Sequence, residues 1–200
     1  LIPKYLTNSA KDADGNTLWS HTLKYSYDAK GNITEYKIGS VLKATYVYDE
    51  LNQLIRENNT YLGKTVVYTY DRGGNIKSKK IYPYTTEETL PSSPERTVSY
   101  SYTDSAWKDL MTSYDGQTIT YDAIGNPLTY RDGMSFTWQR GKELKTAVTA
   151  DHSITYQYNT SGIRTDKTVD GSTTHYMLSG DKVVYETGAN GNFWFYYDAD

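Results

Sequence analysis

The residue types that most often carry chemistry are few in this chain and show no catalytic or metal-binding spacing. His21, His152 and His175 lie in three different parts of the sequence, and no nucleophile or further ligand accompanies any of them. A metal site needs several histidine, cysteine or carboxylate ligands within reach of one ion, and the chain has no cysteine. We therefore expect no catalytic residue, no metal and no cofactor, and an enzyme is not indicated.

Among the carboxylate patterns of the sequence, the recurrent Asp-x-x-Gly-Asn turns are the most similar to a cation-binding loop. An EF-hand loop requires glycine at its sixth position and glutamate at its twelfth, whereas from Asp12 the glycine comes fourth and the twelfth residue is Leu23. Aspartate also begins turns, because its side chain accepts a hydrogen bond from the backbone two residues later. The pattern therefore favours a structural turn over calcium. The acidic pair Glu87-Glu88 has no aromatic pocket implied by its neighbours, so it does not indicate acid-base catalysis.

These turns belong to a repeated unit that organises the chain. In the stretch from Tyr25 to Ile33, Tyr25 and Tyr27 are two apart and so share one face of a strand, and Asp28 begins a turn. Gly31 supplies the positive φ that a type I turn followed by a left-handed residue requires, and Asn32 starts the return strand. Each unit is predicted to be a β-hairpin. The structural motif recurs at Tyr46, Tyr48 and Asp49; at Tyr68, Tyr70, Asp71, Gly74 and Asn75; at Tyr121, Asp122, Gly125 and Asn126; at Tyr156, Tyr158 and Gly162; and at Tyr197 and Asp198.

The spacing of the units shows a repeat protein. The last aromatic residue of each copy is Tyr27, Tyr48, Tyr70, Tyr102, Tyr121, Trp138, Tyr158 or Tyr197, with gaps of 21, 22, 32, 19, 17, 20 and 39 residues. The longest gap spans two units, with a decayed copy at 174–180. A unit of about 20 residues is too small to bury its own face and becomes stable by stacking on its neighbours.

A second set of turns lies between successive motifs. Asp-Gly and Asn-Gly between alternating runs are strong hairpin signals. These turns are Gly39-Ser40, Asp115-Gly116, Asp132-Gly133, Asp170-Gly171 and Asn190-Gly191. In the run 41–48, alternation predicts Leu42, Ala44, Tyr46 and Tyr48 on one face of a half-buried strand, and Lys43 and Thr45 on the other. The sequence therefore predicts an all-β chain of consecutive antiparallel hairpins.

The chain divides into entry strands with a degenerate repeat at 1–24, repeats at 25–82, a proline-rich insertion at 83–96, and further repeats at 97–200. Pro83, Pro91 and Pro94 predict that the insertion is a solvated loop at one edge of the array. The run 51–56 has some helical character, but its place in the repeat predicts a turn and a return strand. The repeat pattern places Gly-Asn directly after the last residues, 197–200, so we expect the native chain to continue. We also expect the present sheet edge to pair with another chain.

The overall composition argues against two classes of partner. The net charge of −3 gives no electrostatic signature for nucleic acid or an anionic membrane, and no apolar run approaches the roughly 18 residues of a membrane span. The chain contains 22 tyrosines and 3 phenylalanines. Because tyrosine packs its ring and keeps a hydroxyl for water, this bias favours thin sheets with both faces partly wet.

The motif Tyr-x-Tyr-Asp-x-x-Gly-Asn at a period of about 20 resembles the YD repeats of Rhs (rearrangement hotspot) proteins. The runs 107–116 and 119–128, followed by 136–141 and Leu144, are similar to a run in Rhs and wall-associated proteins of bacteria, and the resemblance covers the chain from about residue 20. It implies a curved sheet of hairpins that winds in a spiral around a hollow shell, within a longer secreted or wall-associated chain. Bacterial members commonly enclose a C-terminal toxin. The chain has no Asp-Pro dipeptide, so the self-cleaving aspartyl activity of many members is not carried over.

Two functions follow from these observations. The first is a non-enzymatic arc of an Rhs/YD shell, with flanking repeats and a C-terminal toxin of the same polypeptide as partners. The alternative is a carbohydrate-binding or adhesion segment of a wall-associated protein, in which exposed aromatic residues stack on cell-surface glycans; the tryptophans Trp19, Trp107, Trp138 and Trp194 are its candidates. A shell predicts tyrosines that face an enclosed space, whereas an adhesin predicts aromatic residues that face outwards.

Overall fold

The computed structural model describes residues 4–12 and 14–197 and shows an all-β chain. The chain forms two compact units, Leu1–Ser101 and Tyr102–Asp200. No helix among the described residues is long and apolar enough to cross a membrane.

The first unit is one antiparallel sheet whose strands follow chain order. Each strand pairs with the next one in the sequence, as the hairpin pattern predicts. The strands are β1 (Tyr5–Lys11), β2 (Thr17–Tyr27), β3 (Ile33–Ile38), β4 (Val41–Tyr48), β5 (Leu54–Asn59), β6 (Lys64–Tyr70), β7 (Ile76–Pro83) and β8 (Arg96–Ser101).

The second unit contains a short hairpin and a seven-stranded antiparallel sheet, again in chain order. The hairpin consists of β9 (Ser113–Tyr114) and β10 (Gln117–Thr118). A single 3-10 turn at Arg131–Gly133 precedes the sheet of β11 (Ser135–Gln139), β12 (Glu143–Val148), β13 (Ser153–Tyr158), β14 (Arg164–Val169), β15 (Ser172–Ser179), β16 (Lys182–Gly188) and β17 (Gly191–Trp194). Between them, the copy that contains Tyr121 is reduced to single bridges, Tyr121 with Pro127 and Thr129 with Ser135.

A β-bulge accompanies the Asp turns. Tyr27 pairs with Ile33 and Ser26 pairs with Glu35, so Thr34 is an extra residue on the return strand. Leu18, Ile55, Lys77, Lys145, Thr165 and Val184 are extra residues of the same kind. Because a bulge bends its strand and increases the local twist, the repeat carries a bend at a fixed position in each of these hairpins. The sequence pattern alone did not predict these bulges.

Cross-strand pairing defines two faces of the first sheet. Tyr25 pairs with Tyr36, and Tyr36 pairs with Ala44. We call their side the tyrosine face. On the opposite side, here the polar face, Thr45 pairs with Asn58, and Asn58 pairs with Thr65.

A further bulge corrects one expectation about β4. Lys37 pairs with Leu42 rather than with Lys43, so Leu42 shares the polar face and Lys43 is the extra residue. Lys43 instead lines a cleft with Tyr36 and Tyr46 on the tyrosine face. The simple alternation predicted for 41–48 therefore holds only from Ala44 onwards.

The proline-rich insertion is a largely exposed loop that also makes hydrogen bonds to the sheet. Pro83 and Arg96 end and begin strands, and residues 84–95 between them fold back over the polar face. The Thr65 hydroxyl donates a hydrogen bond to the Thr85 carbonyl (2.9 Å), and the Thr85 N–H donates to the Thr65 hydroxyl (3.0 Å). Under this cover Thr65 has no exposed surface. We call residues 84–95 the strap.

Candidate functional site

The Asp turn of each repeat is a closed hydrogen-bond unit. The Oδ1 atom of Asp28 accepts the N–H groups of Lys30 and Asn32, both at 2.9 Å, and its Oδ2 atom accepts the side-chain amide of Asn32 at 2.9 Å. The backbone adds a bond from the Gly31 N–H to the Asp28 carbonyl (3.1 Å), with a φ of 89° at Gly31. The predicted turn and its glycine are confirmed. The hydrogen bond from the asparagine side chain to the aspartate was not part of the prediction.

The same geometry recurs along the chain at the repeat period. In each copy the first side chain accepts the N–H groups of the second and fourth residues after it. The copies begin at Asp12, Asp28, Asp49, Asp71, Asp122 and Asn159. At the glycine position of the Asp49 copy Asn52 adopts a φ of 63°, which shows that the run 51–56 is a turn and a return strand, as predicted.

The turn carboxylates accept hydrogen bonds from within their own turns. Both oxygens of Asp71 already accept N–H groups, from Gly73 and Asn75 on one side and from the Asn75 amide on the other. These hydrogen bonds, first that of the Asn75 side chain, lower the pKa of Asp71 below its usual value. Within the described ranges, no group of three or more histidine or acidic side chains is placed to hold a metal ion.

The second aromatic residue of the motif fastens one hairpin to the hairpin before it. The Tyr70 hydroxyl donates to the Leu54 carbonyl at 2.7 Å, and the Tyr158 hydroxyl donates to the Leu144 carbonyl at 2.9 Å. Tyr121 and Tyr197 make the corresponding bonds to Met111 and Val183. Trp138 replaces the tyrosine and donates its Nε1–H to the Pro127 carbonyl at 2.7 Å.

The motif tyrosines are also partly buried. Loss of water around the ring raises the pKa of Tyr70, Tyr158 and Tyr48 above the usual value for a phenol. In the first unit, burial and the nearby Glu57 carboxylate raise the pKa of Tyr68 to about 12. These hydroxyls therefore stay protonated and act as hydrogen-bond donors rather than as acid-base groups.

Contacts between neighbouring turns join the repeats at their ends. In the first unit, the Lys30 ammonium donates to the Glu50 carbonyl (2.9 Å) and the Asn32 amide donates to the Asn52 side chain (3.0 Å). In the second unit, the Asn126 amide donates to the Gly141 carbonyl at 2.7 Å. The turn contacts and the hydrogen bonds of the motif aromatic residues join neighbouring repeats in both units.

The sheet of the second unit has a threonine row on one side. Thr137 pairs with Thr146, Thr146 with Thr155, Thr155 with Thr168, and Thr168 with Thr173. Two of these pairs are joined by hydroxyl hydrogen bonds, Thr137 with Thr146 at 2.6 Å and Thr168 with Thr173 at 2.8 Å. The opposite side carries the half-buried Tyr156. Both units thus present one aromatic and one polar side.

The histidines and most tryptophans have local structural contacts. His152 lies 2.7 Å from Asp170, whose hydrogen bond raises the pKa of the imidazole, and His175 contacts Asp166. His21 stacks on Trp19. Trp194 packs on Tyr185, and a side chain at Gly125 would meet the Trp107 ring at 2.6 Å. Trp19 belongs to the first unit, and Trp107, Trp138 and Trp194 belong to the second.

The second set of turns forms largely as predicted. Asp115-Gly116 and Asp170-Gly171 both have two successive positive φ values, which is the geometry of a type I′ hairpin turn. Near the end of the chain, Gly188 pairs with Gly191, so the two turn residues are Ala189 and Asn190 rather than Asn190 and Gly191. Of the predicted motif residues, Asp198 lies outside the described residues.

Comparison with known proteins identifies proteins of similar sequence and solved structures of similar fold. The chain is 35% identical over 114 residues to the tRNA nuclease WapA of Bacillus subtilis (strain 168), a match that spans 54% of this chain and 5% of that protein. It is 38% identical over 89 residues to the tRNA(Glu)-specific nuclease WapA of Bacillus subtilis subsp. natto (strain BEST195), spanning 41% of this chain and 4% of that protein. No family model matches the chain.

Solved structures share the fold. A TcdB2-TccC3-TEV crystal structure matches 94% of this chain and 12% of its own chain, with a TM-score of 0.59 and 17% identity. The Tc holotoxin pore of Photorhabdus luminescens matches 92% of this chain and 12% of its own, with a TM-score of 0.53 and 17% identity. At this identity the likeness concerns the fold alone, and the chain spans a small part of each of these proteins.

Proposed function

We propose that this chain, which belongs to the Rhs/YD-repeat proteins, forms part of a shell wall that encloses and delivers a C-terminal toxin of the same polypeptide. The observation that carries the proposal is the series of similar turns, several of them hydrogen-bonded to a neighbouring turn, that builds a sheet from hairpins with no thick core. A wall of this kind is one sheet thick and leaves space on one side.

The relatives support a role within a longer protein. The chain corresponds to 5% of one nuclease named WapA and to 12% of a TccC3-containing chain. We propose that any nuclease or toxin activity lies in another part of the native polypeptide and that this segment is not itself an enzyme. We also propose an extracellular or wall-associated location in a bacterium.

The two sides of the sheet suit different surroundings. On the tyrosine face, Tyr25, Tyr36 and Tyr46 are half-buried within a single sheet, which suits a surface that faces an enclosed space. On the polar face the strap adds a second layer over Thr65 and Asn58. We propose that the tyrosine face points towards the interior of the shell and that the strap lies outside.

Protease protection of the cargo tests this proposal. The native protein, extended to its own C-terminus, is purified, and its intact mass is measured before and after limited proteolysis. Enclosure predicts that the downstream segment resists protease in the native shell and is digested once the shell is denatured. The matched variant Gly125→Val, which weakens one turn of the wall, is expected to make the downstream segment sensitive at a lower denaturant concentration.

Immediate digestion of the downstream segment in the native protein would contradict the proposal. Glycan binding by the repeat region would then become the function to test, with Trp194 and Trp19 as the first residues to substitute, since they are 66% and 48% exposed.

A further inference from the structure

The middle of the strap, residues 88–94, makes no hydrogen bond within the part of the chain that the structure describes. All of these residues except Leu90 and Pro94 are exposed, and they belong to no strand or helix. A protease binds several residues of its substrate in extended form, so it cuts where the backbone is exposed and can open locally. Residues 88–94 meet both conditions.

The strap also stands away from the sheet at this point. An open cleft of about 570 Å³ lies between them, with Thr86, Glu88 and Leu90 of the strap on one side and strands β4 to β6 on the other. Because this space separates the strap from the strands, its backbone can be drawn outwards without breaking a pair of the sheet.

Both ends of the strap are held in place. At the first end, the Arg56 guanidinium donates to the Glu87 carbonyl at 2.8 Å. At the second end, the Glu95 N–H donates to the Ile81 carbonyl at 2.8 Å, and the Lys64 ammonium lies 2.6 Å from the Glu95 carboxylate. Strands β7 and β8 on either side of the strap are paired with each other. A break between residues 88 and 94 would therefore leave all of these contacts intact.

Glutamate occurs at the start of this run and in few other accessible places. The glutamates of the chain are Glu35, Glu50, Glu57, Glu87, Glu88, Glu95, Glu143 and Glu186. Most of them lie in strands, and Glu95 directly precedes β8. The glutamates that remain are the pair in the strap and Glu50 in one of the Asp turns.

Glu50 provides an internal comparison for the strap. It is exposed, and the next residue, Leu51, is 76% exposed. However, the Glu50 carbonyl accepts the Lys30 ammonium at 2.9 Å, and the Leu51 N–H donates to the Asp49 carboxylate at 2.9 Å. Both sides of this peptide bond are held, whereas the bond that follows Glu88 has no hydrogen bond on either side among the described residues.

We propose that the strap is a processing site, at which an endopeptidase that cuts after glutamate hydrolyses the peptide bond between Glu88 and Thr89. Water adds across this bond, so that Glu88 gains a carboxylate and Thr89 gains an ammonium group. The cut leaves the sheet in place, because the two ends of the strap keep their contacts with Arg56 and Lys64. Access to the strap in the native protein rests on the proposed function, which places the strap outside the shell.

The test applies a glutamate-specific endopeptidase to the folded 200-residue chain and follows the intact mass of the products over time. The first products are expected to be the fragments 1–88 and 89–200. They are expected to elute together at the position of the uncut chain in size-exclusion chromatography. Cutting after Glu50 is expected to be about tenfold slower, because two hydrogen bonds must open first.

Matched variants identify the bond that is cut. The double variant Glu87→Gln, Glu88→Gln is expected to slow the first cut about tenfold, to the rate of the Glu50 site. The control Glu50→Gln is expected to leave the first cut unchanged. Thr89→Pro is expected to move the cut to the bond between Glu87 and Glu88, because a proline nitrogen carries a ring carbon in place of hydrogen. Circular dichroism confirms that each variant is folded.

Three outcomes would overturn the inference: a first cut after Glu50, an unchanged rate in the double variant, or separation of the two fragments in native buffer. The same protease is then applied to the native protein, extended to its own C-terminus. A strap that is cut in the 200-residue chain but protected in the native protein would contradict the proposed outward position of the strap and leave the processing site in place.

Discussion

At the scale of single residues, the effect of substituting Gly125 on the free energy of unfolding is the most specific prediction. Gly125 and Gly171 have φ values of 87° and 85°, so alanine at either position costs about 1–2 kcal/mol for the left-handed backbone. Only Gly125 lies against a side chain, since its added Cβ would lie 2.6 Å from the Trp107 ring. Gly125→Ala is therefore expected to lower the free energy of unfolding more than Gly171→Ala, as measured by urea denaturation. Equal losses in the two variants would contradict the packing of Trp107 on this turn.

Removal of the hydroxyl from a motif tyrosine is expected to lower the free energy of unfolding, whereas its removal from an exposed tyrosine is not. Tyr70→Phe removes the hydrogen bond to the Leu54 carbonyl and is expected to cost about 0.5–1.5 kcal/mol, because it leaves that carbonyl without its donor. The control is Tyr61→Phe, at a residue that is 81% exposed, and it should leave the unfolding free energy unchanged. A loss of the same size in both variants, measured by thermal unfolding, would argue against the fastening role of Tyr70.

The turn aspartates predict acid sensitivity. Hydrogen bonds, first from the Asn75 side chain, place the pKa of Asp71 in the folded chain below its ordinary value of 3.8. Its contribution to stability is therefore complete above pH 3.8 and declines as the pH falls through the folded pKa. The same holds for Asp28, whose pKa is lowered first by the Asn32 side chain. We expect the melting temperature to drop steeply below about pH 4.

Asn159 provides the control for this prediction, because it makes the same two bonds to backbone N–H groups without a charge. Asp71→Asn is accordingly expected to fold and to show a shallower acid decline, whereas Asp71→Ala is expected to be less stable at every pH. An acid decline that is identical in Asp71→Asn and the unaltered chain would show that other groups cause it.

At the scale of elements, the strap is expected to stabilise the centre of the first sheet. The Arg56 guanidinium donates to the carbonyls of Thr85 (3.0 Å) and Glu87 (2.8 Å) and to the Asn58 side chain (2.8 Å). Arg56→Ala is expected to cost about 1.5–3 kcal/mol, the usual range for hydrogen bonds to a charged group. Glu88→Ala, at an exposed residue of the strap, serves as the control.

Hydrogen exchange checks where that loss arises. In Arg56→Ala the amides of β5 and β6 should exchange faster, because Asn58 and Thr65 lose their cover. Unchanged protection of these strands, with faster exchange only in the strap, would contradict a stabilising role for the strap in the sheet.

The hairpins were predictable from sequence because turn chemistry and alternation are local. Asp28, Gly31 and the two tyrosines before them fix a strand, a turn and a return within nine residues. The bulges were not predictable in this way, since the extra residue, such as Thr34, follows the alternating pattern of an ordinary strand. The position of Lys43 on the tyrosine face follows from such a bulge. The contacts of the strap with the sheet were not predictable either, because its hydrogen bonds join residues 20 to 31 positions apart, such as Arg56 and Glu87.

At the scale of the whole molecule, each unit is a sheet of linked hairpins rather than a body around a thick core. Buried apolar side chains are few among the described residues: Ala44, Val66, Tyr82, Val98, Ile119 and Ala147. Stability therefore depends on many repeated contacts between neighbours, which is the expected behaviour of a repeat array. Such an array can enlarge by adding repeats, and this property suits the wall of a large shell.

Single-particle electron cryo-microscopy of the native protein, extended to its own C-terminus, is the most direct test of that account. The shell account predicts a hollow particle in which residues 25–197 form part of a wall one sheet thick. In this particle Tyr25, Tyr36 and Tyr46 face inwards, and density for the downstream segment lies inside. A particle whose downstream segment lies outside, or in which these tyrosines face the solvent, would contradict it.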